Sequence, residues 1–462
     1  MNIREYDSAY FIGIGGIGMS ALARWFNANG YFVAGYDRTS TPLTQQLTAE
    51  GIDIHYDDDV ALIPKTVFNT KCLIVITPAI PKDHKELNHL SAADLPMYKR
   101  SQVLGMISSS FTTVAVAGTH GKTTTSSMVA HILKSAGKDI TAFLGGIATN
   151  YDSNFIENKD NNAIAVVEAD EFDRSFLTLH PDIAVITSVD ADHLDIYGDE
   201  DSLKNSFKQF ISQIKNNGRL FVTEKVASAI TDNTNSKLIS TYGLNRGQFF
   251  ASNITIADGF FIFNYCDEQC KIEKITLGVP GFHNVENVTA AIAVALELGV
   301  SADDIKTGVA SYRGVKRRFE FVLRSDKVVF IDDYAHHPTE IESFLTSLKA
   351  LYPGKKITVI FQPHLFTRTR DFVDEFAVSL GLADEIILLD IYPAREEQIE
   401  GVTSAMILDK ILIENKICIS KDGLMDFLDT KELEVVATIG AGDIDQLVAP
   451  LKENLERRYH VA

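Results

Sequence analysis

Two glycine-rich segments carry the plainest chemistry in this chain. One is Gly118-Thr119-His120-Gly121-Lys122-Thr123-Thr124-Thr125, set between a β-type run, Thr113–Ala117, and a helical pattern, Thr123–Ala136. A glycine-rich turn at a helix start lets backbone N–H groups wrap a phosphate chain, and the helix dipole favours the anion. Val116 stands where the longer phosphate-loop pattern has its first glycine, so the loop is short, but the Gly-Lys-Thr core is intact. Lys122 supplies a point charge for β- and γ-phosphate oxygens, and Thr123 offers a hydroxyl to Mg²⁺. The stretch Gly118–Thr124 therefore reads as an ATP site.

The other is Gly13-Ile14-Gly15-Gly16-Ile17-Gly18, again between a predicted strand (Tyr10–Ile14) and a predicted helix (Met19–Asn29). It contains GxGxxG, and Asp37 follows about 20 residues on, where a dinucleotide enzyme holds a ribose hydroxyl. The residues point to a nucleotide diphosphate held by Gly15, Gly16, Ile17 and Gly18, with NAD one candidate. Carboxylates follow two further β-type runs. Ala163–Val167 leads into Glu168-Ala169-Asp170-Glu171, and Ile183–Ser188 into Asp190-Ala191-Asp192-His193. Strand ends are where ligands gather in open α/β sheets. Mg²⁺ takes oxygen ligands and keeps several waters. Glu168 is expected to hold one ion with Thr123, and His193 to lie near a second.

Such loops need parallel strands and helices to position them, and the chain alternates the two for most of its length. With 462 residues it has room for about three domains. Boundaries are placed at 1–107, 108–320 and 321–462, the first within a polar serine stretch. Gly247–Thr276 reads as hairpins, and a last series carries strands at Val328–Asp332, Ile357–Phe361, Glu385–Asp390 and Glu434–Ile439. Pro338 suits the first turn of a helix, Pro338–Leu351. Acidic residues outnumber basic ones 62 to 43, for a net charge of -19. That sign repels nucleic acid and anionic lipid. The longest uncharged run is too short and glycine-broken to span a bilayer, and no secretory pattern opens the chain. The four cysteines are scattered without zinc spacing. A cytoplasmic protein is expected, with no nucleic-acid partner and no membrane insertion. Lys316-Arg317-Arg318 stands out as a basic cluster, with Arg318 the candidate contact to nucleotide phosphate.

At this point the residues resemble the Mur ligase family, ATP-dependent enzymes that join amino acids to a UDP-sugar carboxylate in peptidoglycan synthesis. The resemblance runs from Phe11–Ala23 through Gly118–Thr125, Glu168–Leu177, Asp190–Tyr197, Gly281–Gly299, Gly314–Glu320 and Asp332–Ile341 to Phe361–Phe372. It implies an α/β protein of three domains: an N-terminal Rossmann-like one for the UDP-sugar, a central ATPase built on a mainly parallel sheet, and a C-terminal Rossmann-like α/β domain closing over the amino acid. The first glycine loop would then bind UDP diphosphate rather than NAD.

His120 matches the branch that adds the first amino acid, L-alanine, to UDP-N-acetylmuramate, and also the related ligase that recycles murein tripeptide. The element at Pro363–Arg370 resembles the former more closely. The resemblance places Asn284 against adenine and His337 or its neighbour His336 toward the amino acid. Where the family usually carries an arginine for the amino-acid carboxylate, this chain has Leu365, and Arg368 or Arg370 is expected to compensate. ATP and Mg²⁺ are the implied cofactors, in a monomer or weak homodimer. The alternatives are the tripeptide-recycling ligase or, from another class, an NAD-dependent oxidoreductase.

Overall fold

The computed structural model describes residues 3–93, 95–160, 163–190, 194–231, 239–394 and 396–461. Three sheets organise them. In the first, five parallel strands lie in the order Asp53–His55, Phe32–Tyr36, Ser8–Ile12, Cys72–Ile76, Met97–Lys99. Ser8–Ile12 is buried along its whole length, as a central parallel strand must be. It stops two residues earlier than the sequence suggested, because Gly13 turns into the left-handed region at φ +87°. The helix Ile17–Ala28 starts directly after Gly16 and takes Gly18 into its first turn. The strand order reverses beside Ser8–Ile12, so this loop opens at the switch point of the sheet.

The second sheet has ten strands. At its centre Thr112–Ala117 is flanked by Ile183–Ile186 on one side and Ile164–Ala169 on the other, all parallel. Val116 pairs with Glu168, and Ala117 with both Ala169 and Ile186. The segments after these strands are thereby delivered to one edge. The expected hairpin region forms three consecutive neighbouring strands, Phe249–Ala257, Phe260–Cys266 and Lys271–Leu277, at one margin.

The third sheet runs Glu320–Arg324, Val329–Asp333, Val435–Ile439, Ile357–Phe361, Glu385–Leu388, Lys416–Cys418, parallel except for the first pair. The two edge strands, Glu320–Arg324 and Lys416–Cys418, carry weaker apolar patterns and were not foreseen. The helix Pro338–Leu351 forms with proline in its first turn.

The chain folds into two compact units, one of residues 1–252, 264–275 and 286–313, the other of residues 253–263, 276–285 and 314–462. Within the first unit, buried polar contacts tie the first sheet's layer to the second's. The Arg24 guanidinium donates to Glu50 at 2.9 Å and also to Asn154, whose amide donates to Ser20 Oγ at 2.9 Å. All four cysteines are free thiols. No described helix is long and apolar enough to cross a membrane.

Candidate active site

The short loop after Thr112–Ala117 is shaped by glycine at both ends. Gly118 has φ +138° and Gly121 φ +81°, a region L side chains avoid. A Cβ on Gly118 would collide with Thr187 Oγ1. Neighbouring strand ends lace the loop down. Thr119 N–H donates to Ser188 O at 3.1 Å and His120 N–H to Ser188 Oγ at 2.8 Å. Asp190 N–H donates to Thr119 Oγ1 at 3.0 Å, and the Asp190 carboxylate lies 3.6 Å from His120 Nε2. The helix Lys122–Ser135 begins at once, with no side chain capping its first turn, so its leading N–H groups remain available to an anion.

Glu168 and Thr123 meet as the register dictates. Thr123 Oγ1 donates to Glu168 Oε1 at 3.1 Å, and Gly145 N–H donates to Glu168 Oε2 at 2.9 Å. A Cβ on Gly145 would overlap that carboxylate. Lys122 curls back over its own loop. Its Nζ donates to Gly118 O at 2.7 Å and Thr119 O at 3.3 Å, and lies 2.7 Å and 3.0 Å from the two Glu171 oxygens. Burial disfavours the ammonium, but Glu171, Asp170 and Glu168 outweigh it and hold its pKa above the ordinary lysine value. Burial pushes the Glu171 carboxyl up to about 7, against the pull of Lys122.

Glu171 is fixed by its surroundings. Its carbonyl accepts from Tyr197 Oη at 2.6 Å and from Arg174 N–H at 2.9 Å. Asp173 and Arg174 both adopt left-handed backbone at φ +57° and +56°, an arrangement that costs energy outside glycine. The Arg174 guanidinium lies 5.4 Å from the Tyr197 ring centroid.

The first glycine loop is held differently. Asp37 Oδ2 accepts Gly15 N–H at 2.8 Å, so the predicted ribose carboxylate braces the loop itself. Gly16 caps the helix without a side-chain bond, and Gly16 and Ile17 are exposed. The Arg100 guanidinium comes within 2.6 Å of where a Cβ on Gly18 would be and donates to Asp170 Oδ2 at 3.1 Å.

The second unit carries Asn284, Arg318, His337, Arg368 and Arg370. The helix Phe282–Glu297 begins two residues before Asn284, where the sequence suggested it would start, so Asn284 sits inside its first turn and is buried; its Nδ2 donates to Pro280 O at 2.6 Å. It is therefore not an N-cap. Beside it, burial depresses His283 to about 4. Arg318 lies over the Tyr334 ring at 4.9 Å and 3.9 Å from Glu340 Oε1. His337 caps the helix Pro338–Leu351, accepting from Thr339 N–H at 3.4 Å, and packs edge-on against Phe372 at 4.9 Å. His336 faces Tyr334 at 5.5 Å and His364 at 6.0 Å, and His364 stacks on Tyr392 at 5.8 Å. Arg368 is buried in this unit, whereas Arg370 is exposed and bonded to Asp371 at 2.7 Å. Leu365 has φ +71° and ψ 136°, an unusual conformation for a side-chain-bearing residue.

Comparison with known proteins decides the family. The chain matches the Mur ligase middle domain over residues 116–295, the Mur ligase family catalytic domain over 8–112 and the Mur ligase glutamate ligase domain over 317–442. The chain belongs to the Mur ligase family.

Among its relatives, the UDP-N-acetylmuramate–L-alanine ligase of Flavobacterium psychrophilum is 48% identical across 99% of this chain and 100% of its own. The same-named protein of Cytophaga hutchinsonii is 47% identical across 99% of each. In structure, the chain resembles the UDP-N-acetylmuramate–alanine ligase of Thermotoga maritima, with TM-score 0.80 and 28% identity across 98% and 99% of the two chains. It shares its fold with a murein peptide ligase from Psychrobacter arcticus, at TM-score 0.69 and 23% identity over 97% and 98%.

Against this Mur ligase background, the tertiary structure brings to the loop residues that spacing did not single out. Glu171 was one letter in an acidic run, yet it bonds Lys122. Asn287 lies three residues beyond Asn284 on one helix, with its Oδ1 2.9 Å from the position of a Cβ on Gly121; the i, i+3 spacing was the available signal. Gly145 left no signal at all. His193 lies outside the described residues. Among those described, no group of three or more His, Cys, Asp or Glu side chains is arranged to hold a metal. One carboxylate and one hydroxyl beside a phosphate loop do suit Mg²⁺, which draws its other ligands from phosphate and water.

Proposed function

We propose that this chain is the ADP-forming ligase that joins L-alanine to the lactyl carboxylate of UDP-N-acetylmuramate, in the cytoplasm, for peptidoglycan precursor synthesis. The observation that carries the reading is the convergence of Lys122, Thr123 and Glu168 beside a short phosphate loop, in a chain nearly half identical end to end to ligases of that name. In this reading residues 1–107 hold the UDP-sugar, 108–320 the ATP and 321–462 the amino acid.

Joining a carboxylate to an amine in water is uphill, and hydroxide is a poor leaving group. The lactyl carboxylate therefore attacks the γ-phosphate of ATP, giving an acyl phosphate and ADP. The amine of L-alanine then attacks the acyl carbon and expels phosphate. Backbone N–H groups of Gly118–Thr124 cradle the phosphates, and Lys122 offsets charge building on the transferring group. Thr123 and Glu168 would hold Mg²⁺, which supplies further charge neutralisation when bound. Gly15, Gly16, Ile17 and Gly18 present the UDP diphosphate to the first helix, with Asp37 bracing the turn. Asn284 is assigned to adenine and Arg318 to nucleotide phosphate. His337 acts by fixing the helix start beside His336, and of the two candidate arginines the buried Arg368 is the better placed to receive the alanine carboxylate.

Phosphate release is the test, with UDP-N-acetylmuramate and separate additions of L-alanine, glycine, L-serine and the murein tripeptide. Release with L-alanine and the UDP-sugar together is expected. Release with tripeptide alone would transfer the reading to the recycling ligase, and NADH binding without ADP formation would end it.

A further inference from the structure

We infer that Glu171 is a positioning residue that competes with ATP for Lys122, holding the lysine retracted until a triphosphate displaces it. The inference rests on the ATP reading of the Gly118–Thr124 loop and names a residue that reading did not need. Lys122 Nζ donates to Glu171 Oε1 and to the carbonyls of Gly118 and Thr119, with Glu171 Oε2 at ion-pair distance, 2.7 Å. The three N–H donors of Nζ are all taken by oxygens of the protein, so the ammonium must give up at least one of them to donate to phosphate, and the carboxylate is the acceptor that competes with phosphate by charge. Glu171 cannot follow it. The carboxylate is buried, and the carbonyl of the same residue is pinned by Tyr197 and Arg174. Two successive left-handed residues then fix the chain just beyond. A backbone strained to present one buried carboxylate to one lysine is over-determined for a merely space-filling role.

Competition has a definite sign. Glu171 stabilises the charged lysine in the nucleotide-free enzyme and adds negative charge beside an anionic ligand. Removing that charge while keeping an acceptor, as in Glu171→Gln, weakens the retracted state more than the bound one. A non-hydrolysable ATP analogue with magnesium, titrated by calorimetry into the full chain, should then bind about tenfold more tightly than to wild type. In a Lys122→Ala background the same substitution should change binding little, since the contested group is gone. Glu171→Asp, which keeps the charge but withdraws it from Nζ, should shift affinity the same way by less, and serves if the glutamine variant does not melt cooperatively.

Unchanged or weaker binding by a folded Glu171 variant overturns the inference, as does an equal shift with and without Lys122. A wild-type chain that binds no nucleotide would instead overturn the ATP reading itself, so the two failures are distinguishable.

Discussion

The two glycine loops share a plan and differ in what closes them. Each follows a buried parallel strand and opens a helix whose first turn has no side-chain cap. The loop at Gly13–Gly18 is braced by a carboxylate, Asp37, on a backbone N–H. The loop at Gly118–Gly121 folds around a lysine and is laced to the Thr187–Asp190 segment. A diphosphate that only has to be held needs backbone donors and a rigid turn. A triphosphate whose end group is transferred also needs mobile positive charge and oxygen ligands nearby. In the proposed reading the first loop is therefore the holding site and the second the reacting one.

Lys122→Ala breaks the contrast most severely. It should lower the ligation rate by ~10²–10³-fold or more, while calorimetry shows UDP-N-acetylmuramate binding unchanged because that loop is elsewhere. Gly145→Ala should come next. The added methyl meets the Glu168 carboxylate, so turnover should fall and the magnesium concentration for half-maximal rate should rise, both on the order of tenfold. Asp37→Ala should leave ATP binding intact yet weaken the UDP-sugar by about tenfold, since a turn deprived of one charged hydrogen bond loses about 1.5 kcal/mol. If it weakened both nucleotides equally, the division of labour between the loops would be wrong.

The smallest effect concerns the helix behind the second loop. His131, on Lys122–Ser135, bonds Tyr151 Oη at 2.9 Å and Ser311 Oγ at 3.0 Å, and burial depresses it to about 4. Unfolding restores an ordinary imidazole near 6.5, so the unfolded chain binds the extra proton between those values. Stability should fall as pH is lowered through that window, by up to one proton in the slope. Thermal melts of wild type and His131→Gln should diverge there.

How much of this was readable beforehand differs residue by residue. The helix Pro338–Leu351 was placed to the residue because proline at a first turn and an apolar period agree. The strand before Gly13 was two residues out, since a β-rich run does not announce where a glycine turns. For His337, expected with His336 toward the amino acid, the structure adds what spacing did not show: its side chain caps the helix Pro338–Leu351. Arg368 and Arg370 looked equivalent in sequence until one was buried and the other bonded to its neighbour.

The amino-acid sequence by itself determined the family, the two phosphate-type loops and the acids at strand ends. These depend on local backbone requirements and on residue types that must be adjacent along the chain. Only the tertiary structure decided which acid meets which base. Strand order brought Glu168 beside Val116, a fold of the following segment turned Glu171 onto Lys122, and another strand lent Gly145 as a donor. Such pairings join residues far apart in the chain through packing, which short-range spacing does not encode.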